Sequence, residues 1–485
     1  MPKKLYLKMN KSNWLTLLGL LLYCILIFLP LLVHGYVYPN IGDDSAVYLA
    51  RIEGMANGTD TVQYTGYYIA GYPMVFLRDT LGWSLDIQFL WFNFIALAFI
   101  GIVIYLVFAK LANRLTGWLA LLLVMFTAQG IMFLFYYGQI FNIINLGIIF
   151  PLLLLFTVRY LEGRKKRYLL LTLVFTILFS SFHANGIYLP AIAGLGTLVY
   201  LIYIKFNKKT VQKRALYFGG GITLFAIIVF IALVVLPTMQ QLREFSDTPL
   251  SSTMNNVGKG MAVPVNHWLM SILSPSILVL AALVAMFHKD LKKLFADNRV
   301  KMAGFILAVL SFLLIVAAFG KLSLDPWRQA VDLAIVSAML VAVCLGVLLA
   351  KQKNAALYIV VVLAVGFGLF HNLPTWFNYN SAMTQADLKA IEYLNKVETF
   401  SCSSQVAPWV YMRYTTAKHQ DNDGDIVIMR SEPMTPRSTE GNIWYQKHGW
   451  QPSLEYGLIA TFTDNDVEVQ VWELQDWARL KRLLR

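Results

Sequence analysis

Long apolar stretches, each bounded by a short polar or basic segment, recur along the chain from Trp14 to His371. A hydrocarbon layer about 30 Å thick is crossed by about 20 apolar residues in helical form. Eleven segments meet that need, at about residues 14–33, 87–109, 115–135, 140–158, 168–182, 186–204, 215–237, 268–287, 302–319, 328–350 and 355–372. The first is too long for a cleaved leader, and no small-residue cleavage site follows it before Gly42-Asp43-Asp44. Beyond His371 the hydropathy falls. Thr384 to Val397 reads as a helix capped by Thr384 with Leu388, Ile391 and Leu394 on one face. Asp425–Arg430, Leu458–Thr463 and Val467–Leu474 read as strands, the last two forming a hairpin at Asp464-Asn465-Asp466. The pattern predicts an α-helical polytopic membrane domain over residues 1–379 and a small α+β domain over 380–485.

Composition agrees. The 485 residues are 58% hydrophobic and 14% charged, against roughly 45–50% and about 25% for soluble globular chains, and mean hydropathy is +0.59. Disordered, collagenous and disulfide-scaffold classes are excluded. Cys24 and Cys344 lie inside apolar runs, which leaves Cys402 alone where water reaches. A net charge of +13 would suggest nucleic acid in a soluble protein. Here its placement reads as topology: 23 of the 40 Lys and Arg fall in segments on the amino-terminal side of the membrane and six on the other, before the tail. By the positive-inside rule the amino terminus is cytoplasmic and, after eleven spans, the carboxyl-terminal domain is extracytoplasmic. No nucleic-acid partner is expected. The inner loops are short and carry no phosphate-cradling glycine motif, which argues against an ATP-driven machine.

Chemistry is therefore sought outside, first in the loop of residues 34–86. It holds Asp43, Asp44, Glu53, Asp60 and Asp79, with Asp86 at its edge. Ser45 to Met55 suits a short interfacial helix, and a second follows from Tyr67 to Leu77. Asp43 or Asp44 can cap the first of these, since a carboxylate accepts from free amides at the positive end of the dipole. One of them can equally serve as a general base just above the lipid, its neighbour orienting it or binding a hydroxyl or a divalent cation. The two roles are compatible. Tyr67 and Tyr68, with Tyr64 and Tyr72, lie where an aromatic belt is expected and are candidates for stacking on a sugar ring.

The second outer feature is Lys321-Leu322-Ser323-Leu324-Asp325-Pro326-Trp327-Arg328, at the head of the tenth span. Arginine entering a bilayer must snorkel, pair or line a wet cavity. Asp332, one turn on, offers an ion pair; a lipid phosphate held by Arg328 with Lys321 is the alternative, for which a guanidinium fork is suited. His34, His183, His267 and His371 fall near outer ends of spans, and His183 stands out within the polar reversal Ser181-Phe182-His183-Ala184-Asn185-Gly186. Gln129, Gln139, Asn142 and Asn145 can line a cavity or join helices by hydrogen bonds. Residues 238–267 form a polar loop long enough for a lid. No HExxH or paired-ligand spacing suggests zinc. Asp421-Asn422-Asp423-Gly424-Asp425 begins like a calcium loop, but Ile426 occupies the position that needs glycine.

Gly42-Asp43-Asp44-Ser45-Ala46-Val47-Tyr48-Leu49, followed by Gly66-Tyr67-Tyr68-Ile69-Ala70-Gly71-Tyr72-Pro73, resembles the first outer loop of the GT-C class of membrane glycosyltransferases. Pro326-Trp327-Arg328 is similar to the arginine-led late span of that class, and Thr384-Gln385-Ala386-Asp387 to the start of its outer tail. The resemblance implies an integral membrane enzyme that moves a sugar from a polyprenyl-phosphate carrier to a glycan, lipid or protein acceptor at the outer face. It implies inversion, with Asp43 or Asp44 as base and Arg328, Lys321 and His183 on the donor phosphate. Asp-Asp replaces the Asp-Glu of some branches, which leaves the division of roles between the two open, as it does any assisting divalent ion. The rival class is a transporter or lipid flippase, disfavoured by the absence of an internal repeat between the halves.

Overall fold

The computed structural model describes residues 11–34, 43–56, 64–126, 131, 135, 139–163, 165–183, 186, 188–206, 213–236, 297–319, 326–351, 385–396, 401–404, 418–419, 426–430, 455–464 and 467–478, with isolated positions between 358 and 370. Its membrane part is helical: α1 (Lys11–His34), α2 (Asp43–Ala56), α3 (Thr65–Leu81), α4 (Leu85–Leu111), α5 (Arg114–Phe126), α6 (Ile140–Gly163), α7 (Lys166–Phe182), α8 (Tyr188–Phe206), α9 (Lys213–Phe230), α10 (Asn298–Phe319) and α11 (Pro326–Lys351). Among the described residues, helices occupy nine of the eleven predicted spans. The span at 268–287 and most of 355–372 lie outside them. Among the described residues, five segments are long and apolar enough to cross a membrane: Asn13–Leu32, Leu85–Leu111, Ile140–Gly163, Asn298–Ile315 and Asp332–Ala350.

Burial sorts these helices. α11 is the axis, with Leu333 to Leu349 enclosed on every side, packed against α10 and α5, while α4 joins α5 and α6. At the periphery α1 turns Leu15, Leu18, Leu22 and Leu32 outward, as a helix does when lipid is its solvent. Close crossings use missing side chains: a Cβ on Gly346 of α11 would collide with Thr116 of α5, and the Gly346 carbonyl accepts a hydrogen bond from Asn113 at 3.3 Å. α6 contains a π-turn at Asn145–Ile149, where an inserted residue rotates the helix face.

The two interfacial helices expected in the first outer loop are present and longer than their apolar patterns. α2 begins at Asp43 itself, so both aspartates stand in its first turn rather than before it. α3 is more than interfacial, since Tyr67, Ala70 and Met74 are buried against the bundle. It ends at Gly82, whose φ of 68° is left-handed and whose amide bonds the Arg78 carbonyl at 2.9 Å.

In the tail, α12 (Gln385–Leu394) packs against a five-stranded mixed sheet of β1 (Ser401–Ser404), β2 (Lys418–His419), β3 (Ile426–Arg430), β4 (Tyr456–Asp464) and β5 (Val467–Leu474), in the order β2-β1-β3-β5-β4. β1 pairs in parallel with β2 and β3, and β5 runs antiparallel to β3 and β4. The β4–β5 hairpin is the predicted one, with β4 extended by two residues at its start and one at its end. The first amide of α12 donates to Asp464 at 2.9 Å, so the hairpin end caps the helix. Thr384 and the acidic run at 421–425 lie outside the described residues.

Candidate functional site

One end of the bundle gathers the start of α2, the start of α6, the end of α7 and the start of α11. α10 and α11 form an antiparallel hairpin, which sets Pro326 and Arg328 at the end opposite Asn298. Asp43 and Asp44 head α2, whose next turns bury Ser45, Tyr48, Leu49 and Ile52, a face repeating at three, four and seven residues. Asp44 is thus one turn above Tyr48. The Tyr48 ring lies 4.8 Å from Phe141 of α6, 5.5 Å from Tyr67 of α3 and 6.4 Å from Phe89 of α4, all edge-on. The start of α2 is therefore pinned to the bundle by aromatic contacts.

Next to Phe141, the Asn142 amide donates to Asp332 of α11 at 3.3 Å and to Gln139 at 3.4 Å. All three are essentially fully buried. The Gln139 amide nitrogen has no partner among the described residues. Asp332 is one turn along α11 from Arg328, so this bond ties the first turns of α11 to the start of α6. Asn145 bonds the Phe179 carbonyl at 3.2 Å. Of the two roles open to these amides, both Asn142 and Asn145 join helices.

His183 closes α7 and is 5% exposed, its ring 5.5 Å from that of Tyr64. The neighbouring Ser181 hydroxyl pairs with Thr65 at 2.9 Å. A Cβ on Gly66 would stand 2.7 Å from the Phe182 carbonyl, so glycine is what lets α3 rest on the end of α7. Tyr67 is 3% exposed, boxed by Tyr48, Tyr64 and Phe141, with the Arg51 guanidinium 5.7 Å from its ring centre. Tyr68 is half-buried and pairs with Tyr72 at 5.7 Å. The structure thus brings together the α2 start, Tyr67, His183 and, through Asn142 and Asp332, the α11 start. Lys321 lies outside the described residues, as do His267 and His371. Among the described residues no three His, Cys, Asp or Glu side chains converge as a metal site. Tyr48 and Phe141 were not singled out by the sequence, although the four-residue step from Asp44 to Tyr48 is a signal that could have found the first.

No protein-family model matches the sequence, and no curated protein is similar to it. Solved structures are. The Archaeoglobus fulgidus oligosaccharyltransferase in its apo form aligns at TM-score 0.55 and 13% identity over 96% of this chain and 75% of its own. The oligosaccharyltransferase AglB of the same organism, in complex with an inhibitory peptide and a dolichol-phosphate, aligns at 0.53 and 12% over the same shares. ArnT from Cupriavidus metallidurans, bound to undecaprenyl phosphate, aligns at 0.51 and 11% over 95% of this chain and 98% of its own. At such identities the likeness speaks for the fold. The chain has the fold of the GT-C class of membrane glycosyltransferases.

Proposed function

We propose that the protein transfers a sugar from a polyprenyl-phosphate carrier to an acceptor at the outer face of the membrane. The observation that carries this reading is one connected set of contacts at one end of the bundle. It runs from the helix headed by Asp43-Asp44 through Tyr48–Phe141 to Asn142–Asp332 and the helix headed by Arg328. An acidic and a cationic group tied to the same end are what transfer from a lipid phosphate requires. The kinds of ligand named for AglB and ArnT, dolichol-phosphate and undecaprenyl phosphate, fit a donor of this class.

In the mechanism, Asp43 or Asp44, with Asp43 preferred, takes the proton of the acceptor hydroxyl. The oxygen attacks the anomeric carbon from the side opposite the phosphate; the C–O bond to the phosphate breaks and the centre inverts. The leaving phosphate needs no general acid, but its charge must be held. Arg328 does this with Lys321, and His183 contributes from the end of α7. Tyr67 holds the α2 start in register, and Tyr68 is the tyrosine with surface to offer a sugar. The orientation follows the charges: amino terminus in the cytoplasm, tail outside.

Asp43→Asn and Asp44→Asn are expected to leave the protein inserted while one of them lowers sugar transfer at least 100-fold in membranes containing polyprenyl-phosphate sugars. Full activity in both removes the reading. Vesicles that move labelled lipid without forming a glycosyl product would establish the flippase instead.

A further inference from the structure

A second feature that the proposed transfer does not use runs from the middle of the bundle, at Phe150 and Leu189, toward the end opposite the candidate site. Helices α6, α8, α9 and α10 enclose a slot of about 330 Å³ lined by Leu154, Thr157, Leu161, Gly196, Gly219 and Phe305, among others. Its lining is almost wholly apolar, and its volume is at the low end for ligand pockets. One absent side chain leaves space, since a Cβ on Gly196 would meet only Phe305, at 4.0 Å, whereas Gly219 lets Thr197 of α8 pack closely on α9. On α9 and α10 the lining residues, Phe218 to Ile222 and Met302 to Ile306, fall within the first three turns from the Lys213 and Asn298 ends. Phe305 is 39% exposed, so the slot reaches the surface of the described helices.

The rim at that end is ionic. Glu162, next to the lining residue Leu161, is bridged by Arg159 at 3.3 Å and by Arg299 at 3.1 Å. Arg299 lies one turn before Met302, and the exposed Lys301 is adjacent to it. Lys165, Lys166 and Arg167 follow Glu162 along the chain, so that cations outnumber the carboxylates Glu162 and Asp297 at this rim.

We propose that the slot holds one acyl chain of an anionic phospholipid whose phosphate sits among Arg159, Arg299 and Lys301. An apolar groove ending in a cationic rim at the membrane boundary complements an anionic head joined to a hydrocarbon chain. A polyprenyl phosphate engaged at Arg328 has its phosphate at the other end of the α10–α11 hairpin and does not present its charge to this rim. The inference is independent of the proposed activity.

The test uses the full-length protein, purified in mild detergent and supplemented with phosphatidylglycerol, phosphatidylcholine or polyprenyl phosphate, read by native mass spectrometry and thermal unfolding. One bound phosphatidylglycerol is expected, raising the unfolding temperature where phosphatidylcholine does not. Gly196→Leu, which extends into the slot, abolishes that bound lipid. Lys301→Gln, an exposed change that leaves folding intact, weakens phosphatidylglycerol binding at least threefold. Equal response to phosphatidylcholine, retention of the lipid in Gly196→Leu, or displacement of phosphatidylglycerol by polyprenyl phosphate overturns the proposal. If Gly196→Leu does not fold, unchanged phosphatidylglycerol binding by Lys301→Gln is sufficient to overturn it.

Discussion

Two glycines show how single positions govern the site and its surroundings. Gly66 faces the Phe182 carbonyl so closely that a methyl group at 2.7 Å from the oxygen forces α3 away from α7. Gly66→Ala is therefore expected to destabilise the protein by about 1–3 kcal/mol, as overpacking does. Gly220 on α9 is exposed with nothing within 4 Å of a Cβ. Gly220→Ala is expected to stabilise by about 0.5–1 kcal/mol through helix propensity alone. Thermal unfolding of both variants in the same detergent checks the pair. Asn142 carries a different lesson. Its amide links the α6 start to Asp332, 190 residues away, and Asn142→Ala removes a donor from a buried carboxylate at a cost of about 1–3 kcal/mol. No local pattern announces such a bond. The residue types hinted at helix joining or a wet cavity, and only the register of α6 against α11 decides between them.

At the level of elements, Tyr48 is the side chain through which α2 meets aromatic rings of α3, α4 and α6. Tyr48→Ala is expected to speed amide hydrogen exchange across residues 43–56 by at least tenfold while leaving α4 unchanged, and to reduce transfer. Equal exchange in variant and parent would mean that α2 is secured elsewhere. The helices were legible where apolar length was decisive, as in α4 and α11, and where a polar start preceded an apolar face, as in α2. Helix ends were less so: α2 reaches back to Asp43 and α3 forward to Leu81, because the polar residues at their ends belong to the helix without belonging to its buried face. β1 and β2 were not foreseen. Ser401-Cys402-Ser403-Ser404 and the two residues of β2 carry no alternation, and they become strands by pairing with β3 and with one another. The π-turn of α6 has no signature in sequence either.

For the whole molecule, the charge distribution makes a topological claim that can be checked without knowing the substrate. Glu392 on α12 is exposed, with 74% of its side chain accessible, whereas Cys344 is buried and Cys24 lies in the membrane-spanning α1. In a Cys402→Ser background, Glu392→Cys is expected to react with a membrane-impermeant maleimide on intact cells. Labelling only after the membrane is opened would invert the topology and move the site to the cytoplasm. The two ends of the bundle also divide the chemistry between them: carboxylates and an arginine at helix starts on one side, and a cationic rim over an apolar slot on the other.

The central claim is that the Arg328 end of α11 and the Asp43-Asp44 end of α2 serve one lipid-phosphate site in different capacities. Binding of polyprenyl phosphate to the purified protein tests it most directly, because it requires neither the sugar nor the acceptor. The account predicts that Arg328→Ala weakens binding at least tenfold, while Asp43→Asn and Asp44→Asn bind as well as the parent or more tightly. Undiminished binding by Arg328→Ala, or no binding by the parent protein, contradicts it.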